Sequence, residues 1–282
     1  MADLDKRLNA FRPDLADARL KGHVEAARFV EGSAARVIVP VADLKCEPRD
    51  DAGLDTQLLF GAIVRVFEEH EGWAWVQAER DGYVGYLSSE ALGAPRQAST
   101  HIVSASRTFL YPGPDMKLPR TGTLSLGSEL TVTDWAETRS SRYGRLETGE
   151  WLMAVHLREV GAAQDDFVAI AERLLGTPYL WGGASGFGID CSALVQLSLR
   201  MAGRTVLRDT DMQEKSVGTR VDGTDCRRGD LVFWRGHVGI MRDAETLIHA
   251  NGHTMNVALE PLEDAIARIG YLYGQPTAYC RP

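Results

Sequence analysis

The apolar positions change period along the chain. Between Arg36 and Leu87 they form short runs separated by turn residues. Val37-Ile38-Val39, Leu58-Leu59-Phe60, Ile63 to Phe67, Trp73 to Gln77 and Tyr83 to Leu87 each read as a strand, and Asp81-Gly82 reads as the turn of a hairpin. Five such runs in close succession predict a small β-barrel, over 31–94. One constant shift lays Pro48 on Pro114, Leu58 on Leu124, Gly61 on Gly127, Val64 on Leu130 and Val66 on Val132. That repeat predicts a second barrel over 99–160, after a linker, Gly93-Ala94-Pro95-Arg96-Gln97-Ala98-Ser99.

The flanks follow other patterns. Residues 1–30 read as a leader with a helix from Asp14 to Phe29, packed on the body. Beyond Gly161 the period becomes helical. Phe167, Ile170, Ala171, Leu174 and Leu175 share one face, with Asp165 and Asp166 near its start. A second helical pattern, Ala193, Leu194, Val195, Leu197, Leu199, Met201 and Ala202, runs to Gly203, a C-cap residue, and puts Cys191 at or near its N-terminus. Strands follow at Leu231–Trp234, Val238–Met241 and Leu247–Ala250, then a helix from Leu262 to Ile269 and a last strand at Thr277–Tyr279. Helices first and antiparallel strands after predict an α+β domain over 161–282.

Charge and composition narrow the class of function. The chain of 282 residues has a net charge of −8, which argues against nucleic acid as a partner. Charged residues dot the leader, and no apolar run is long enough to span a membrane or form a signal core. A cytoplasmic protein without a membrane partner is expected. The 4 cysteines lie far apart, with neither disulfide nor zinc spacing, which fits a reducing compartment.

One stretch concentrates the chemistry. Gly176-Thr177-Pro178-Tyr179-Leu180-Trp181-Gly182-Gly183 leads through Gly188-Ile189-Asp190 to Cys191, at the start of the predicted helix. A helix N-terminus favours a thiolate, and a thiolate needs a general base. His237 and His249 lie on two candidate strands that can stand side by side. His237 would pair with Cys191, and His249 would orient the His237 ring. The plainer readings are a buried inert cysteine, two packed histidines, or the three residues as zinc ligands. The glycine-rich approach favours catalysis, with no metal and no cofactor. Trp181 is expected to pack beneath the site. Asp190 is either the N-cap of the cysteine helix or a partner for a substrate cation, and both roles are compatible.

These motifs, with Arg227-Arg228-Gly229-Asp230-Leu231-Val232-Phe233-Trp234, His237-Val238-Gly239-Ile240 and Ile248-His249-Ala250, resemble the NlpC family of cell-wall cysteine peptidases. The resemblance covers residues 162–282; the upstream repeats are similar to bacterial SH3-like domains, and the layout is that of the YkfC-type branch. It implies a papain-like catalytic domain with Cys191 as nucleophile, His237 as base and His249 as the orienting residue. The substrate it implies is a murein peptide, L-Ala-γ-D-Glu-diamino acid, cut at the γ-D-glutamyl bond and recognised by its free N-terminal amine. Asp190 and Ser192 match the positions that bind that amine. Thr210 stands where relatives carry serine. Tyr83 matches a tyrosine that caps the site, and Glu47 and Asp55 are both candidates for an acidic residue supplied by the first barrel. An exported hydrolase of intact wall and a non-catalytic binding protein are the competing functions.

Overall fold

The computed structural model describes residues 4–95, 97–162 and 166–282, in two units, Met1–Val160 and Gly161–Pro282. Asp165, expected at the start of a helix, lies outside the described residues.

The first unit is built of strands. A seven-stranded sheet runs in the order Leu54–Leu59, Val41–Lys45, Val84–Ser88, Trp73–Ala78, Ile63–His70, Ser33–Val37, Leu92–Gly93. Val37, Leu44, Val64, Val76 and Leu87, all fully buried, form its core. Val41–Lys45 is absent from the strands that the sequence predicts, since Asp43 and Lys45 dilute its apolar content. Its burial nevertheless alternates, with Ala42 and Leu44 turned inward. Gly82 has φ 78° in the turn between Trp73–Ala78 and Val84–Ser88, where Asp81 accepts a hydrogen bond from the Tyr83 N–H.

The leader is not helical. Leu15–Asp17 pairs in parallel with Arg28–Val30, and only Ala18–Leu20 forms a single 3-10 turn. Gly22 sits between them at φ 87°, a backbone conformation that no α-helix contains. The leader does pack on the first sheet. Leu15 and Ala10 bury against Phe67 and Trp75, and Arg12 joins Glu68 and the Tyr86 hydroxyl.

Residues 101–159 form a second all-β module around Val103, Leu124, Leu130, Leu146 and Leu152. The internal repeat is visible in its hydrogen bonds. Gly61 and Gly127 both have φ 87°, and their N–H groups donate to Val37 O and Val103 O, which are related by the same shift.

The second unit holds four α-helices among its described residues: α1 (Phe167–Glu172), α2 (Cys191–Met201), α3 (Thr210–Ser216) and α4 (Leu262–Tyr273). Its sheet is antiparallel, in the order Thr219–Arg220, Ala278–Arg281, Leu231–Trp234, His237–Met241, Thr246–Asn251, Asn256–Pro261. Asp166 caps α1 by accepting from the Val168 and Ala169 N–H groups. The buried face of α2, with Ala193, Leu194, Val195, Leu197 and Leu199, is nearly sealed from solvent and anchors the first turn. Helix α4 closes one face of the sheet through Ala265 and Ile269, packed with Trp234, Met241 and Leu247.

Candidate active site

Cys191 opens α2, in the first turn, where backbone N–H groups have no intrahelical acceptor. The glycines before it are a steric requirement. A side chain at Gly183 would meet the Gly188 carbonyl at 2.7 Å, so the short hairpin of Ala184–Ser185 and Gly188–Ile189 closes only without one. Trp181 departs from expectation. It stands in the tight turn closed by Gly183 N–H to Leu180 O, is 72% exposed, and does not pack beneath the site.

Asp190 is the N-cap, and its oxygens are crowded with donors. Oδ1 accepts from the Ala193 N–H at 2.8 Å, the Ser192 hydroxyl at 3.2 Å and Arg208 at 3.1 Å. Oδ2 accepts from the Gly182 N–H at 3.0 Å and Arg208 at 2.6 Å. A carboxylate offers about four lone-pair positions, so these donors fill it. Arg208, 1% exposed, also donates to Ser192 Oγ at 2.7 Å. The bidentate ion pair balances the charge that Asp190 brings to the cysteine. Gln213, fully buried, locks the same corner by donating to Ser192 O and Leu207 O. Neither Arg208 nor Gln213 received a role from the sequence. A carboxylate capping a buried helix needs a counter-charge, but no local pattern in the sequence singles out Arg208 as its source.

The expected residues of this unit come together. Thr210, first residue of α3, puts its hydroxyl 3.9 Å from Cys191 Sγ. The Val238 backbone N–H hydrogen-bonds to the thiol, which joins the strand of His237 to the cysteine helix. His237 Nε2 lies 2.9 Å from His249 Nδ1. The two strands pair at Ile240 with Ile248 and Met241 with Leu247, and that register carries the two rings to one end of the sheet. Behind them His249 Nε2 lies 3.1 Å from Glu260 Oε2, close enough to pair in charge but not aligned as a hydrogen bond. Glu260 is clamped by Arg268, at 2.9 and 2.5 Å. Asn251 is excluded from the orienting position, because its Oδ1 accepts from the N–H groups of His253 and Thr254.

Burial decides the protonation of the pair. It pushes the Cys191 thiol up to about 11, helped by the Asp190 carboxylate and opposed by the Val238 N–H, Thr210 and Arg208. The helix terminus alone favours a thiolate, but desolvation is the larger effect. Burial likewise lowers His237 to about 3, with His249 and Arg268 adding to the shift. At rest Cys191 is therefore a neutral thiol and His237 a neutral imidazole. The two histidines spend their facing nitrogens on each other, an arrangement unlike that of ligands converging on a metal. Among the described residues no group of His, Cys, Asp and Glu is arranged to hold one.

The remaining candidates belong to the first unit. Tyr83 is 5% exposed and sits in the core of the seven-stranded sheet. Glu47 is exposed and paired with Arg49 at 2.8 Å. Asp55 is half-buried on the strand Leu54–Leu59.

Comparison with known proteins agrees with this geometry. The NlpC/P60 family model matches residues 176–269, and the bacterial dipeptidyl-peptidase SH3 domain model matches residues 46–92. Dipeptidyl-peptidase 6 of Lysinibacillus sphaericus is 30% identical over 245 residues, 79% of this chain and 90% of that protein. This chain belongs to the NlpC/P60 family. A γ-D-glutamyl-L-lysine dipeptidyl-peptidase of Bacillus subtilis is 28% identical, with 77% of this chain and 78% of that protein covered. The crystal structure of an NlpC/P60 family protein from Bacillus cereus superposes with a TM-score of 0.74 at 23% identity, over 88% of this chain and 99% of that one. The fold is thus the papain-like fold of NlpC/P60 peptidases, preceded by an SH3 domain.

Proposed function

We propose that the protein is a cysteine endopeptidase that hydrolyses the γ-D-glutamyl–diamino acid bond of peptides released from peptidoglycan. The observation that carries the reading is Cys191 at a helix N-terminus against the strand that His237 opens, with His249 Nδ1 2.9 Å from His237 Nε2. That bond leaves His237 Nδ1 to take the thiol proton. Cys191 Sγ attacks the γ-glutamyl carbonyl as its proton moves to His237. Because both groups start neutral, the transfer accompanies attack and does not precede it. The oxyanion faces the Cys191 N–H, since the Ala193 and Leu194 N–H groups are taken by Asp190. The carbon–nitrogen bond then breaks, His237 gives its proton to the departing amine, and a thioester remains. Water activated by His237 opens the thioester and returns the thiol.

The curated relatives that are named for γ-D-glutamyl bonds support this substrate class. In this reading the free amine of the N-terminal L-Ala lies near Ser192 and Thr210. Asp190, filled by five donors, acts through Arg208 and Ser192. A pocket that demands a free amine excludes stems still joined to glycan, so the peptides are those freed for recycling.

The test is cleavage of L-Ala-γ-D-Glu-diaminopimelate beside the same peptide N-acetylated. Cleavage of the free peptide alone supports the reading. Equal cleavage of both removes the amine pocket, and cleavage of neither removes the peptidase.

A further inference from the structure

A cavity of about 570 Å³ opens on the flank of His237, walled by Tyr179, Trp181, Arg235, Asn251, His253 and Arg268. Cys191, Ser192 and Thr210 lie outside its wall, so it is not the pocket read above for the acyl half of the substrate. His237 delivers the proton to the departing amine, so the cavity beside it is where the departing diamino acid stands.

Two features of the wall ask for an anionic oxygen. Asn251 is 4% exposed, and its Oδ1 is used by the turn that follows, yet its buried Nδ2 has no acceptor among the described residues. A buried donor without a partner costs stability that a ligand oxygen would restore. Arg235 is the second feature. It is exposed at the tip of the hairpin between Leu231–Trp234 and His237–Met241, close to the base in the chain, with no ion pair among the described residues. Half-buried Arg268 also lines the cavity, with its charge shared with Glu260, which leaves Arg235 as the wall's unpaired cation among the described residues.

We infer that Arg235 and Asn251 form the leaving-group subsite and read a carboxylate at the far end of the diamino acid side chain, so that the substrate is a diaminopimelate-type peptide and not a lysine peptide. Lysine ends in a bare ammonium, which Arg235 repels and for which Asn251 Nδ2, a donor, offers no lone pair. Diaminopimelate ends in an ammonium and a carboxylate on one carbon, and the carboxylate can accept from Asn251 Nδ2 while pairing with Arg235. The inference rests on the peptidase reading above.

The experiment compares kcat/KM of the full chain on two peptides, L-Ala-γ-D-Glu-diaminopimelate and L-Ala-γ-D-Glu-L-Lys, each with its α-carboxyl amidated so that only the side chain differs. The wild type should prefer the first peptide by about tenfold or more, and Arg235→Gln should lose most of that preference, with the diaminopimelate peptide cleaved more slowly and the lysine peptide as fast or faster. Asn251→Asp, which keeps the turn-accepting oxygen and replaces the donor by an anion, should lower the diaminopimelate rate further. A wild-type preference for lysine, or an Arg235→Gln loss equal on both peptides, overturns the subsite while the peptidase stands. Cleavage of neither peptide by the wild type overturns the peptidase reading, and the subsite with it.

Discussion

His237 Nε2 and His249 Nδ1 stand 2.9 Å apart, on strands whose rings meet only because Ile240 pairs with Ile248. Glu260 beside His249 Nε2 assigns the tautomer: that nitrogen keeps its proton, so His249 Nδ1 accepts from His237 Nε2. His249 keeps its other nitrogen toward Glu260, and His237 keeps Nδ1 for the thiol. His249→Ala frees the His237 ring to rotate and should lower kcat by about a hundredfold, with KM little changed. Steady-state kinetics on the free tripeptide measure this. A loss confined to KM would assign His249 to substrate binding.

Cys191 is a thiol at rest, pushed up to about 11 by burial and the Asp190 carboxylate. Its alkylation by iodoacetamide should be slow at neutral pH and keep accelerating toward pH 11. Mass spectrometry of the modified peptides separates it from exposed Cys46. A plateau near pH 7 would mean a preformed thiolate pair. Cys191→Ala should abolish turnover and leave the melting temperature nearly unchanged.

Buried histidines make the catalytic unit sensitive to acid. Burial holds His237 at about 3 and His249 at about 4, against an ordinary value of 6.5. The unfolded chain therefore binds these protons first. The stability is full above pH 6.5, declines as pH falls below it, and levels only near the folded values. Melting temperature should drop between pH 6.5 and 4.5, before most carboxylates titrate, and His237→Gln should flatten that limb. An unchanged slope in the variant would remove His237 as the cause.

Arg208 and Asp190 form a buried pair under the nucleophile. Arg208→Met leaves the carboxylate buried without its partner and should cost about 3–5 kcal/mol in unfolding free energy. The double change with Asp190→Asn should recover part of that loss, though not activity, because Ser192 and the first turn lose their anchor. Denaturant titration of the set gives the coupling. An additive double mutant would mean that the pair contributes no net interaction.

Much of this protein is local and was therefore legible. The cysteine helix announces itself by apolar spacing, a capping aspartate and a closing glycine, and it folds from Cys191 to Met201. The strands of His237 and His249 are short apolar runs between turns, and they form where those runs lie. The internal repeat persists as the paired hydrogen bonds of Gly61 and Gly127. The leader misled because Asp14 to Phe29 has mixed polarity without helical period, so Gly22 and the pairing of Leu15–Asp17 with Arg28–Val30 decide its shape.

Only the tertiary structure decided the electrostatics. Nothing in the spelling Asp190-Cys191-Ser192 says that Arg208 will fill the carboxylate, that burial will hold the thiol neutral, or that Glu260 and Arg268 will stand behind His249. Sequence period records which side of an element is apolar, and that decides where chains bury. A charge feels every group within a few ångströms, and in a folded core most of those groups come from distant parts of the chain. The nucleophile and its partners are therefore written in the sequence, while their protonation and the cavity beside them exist only once the sheet, α2 and α4 have closed.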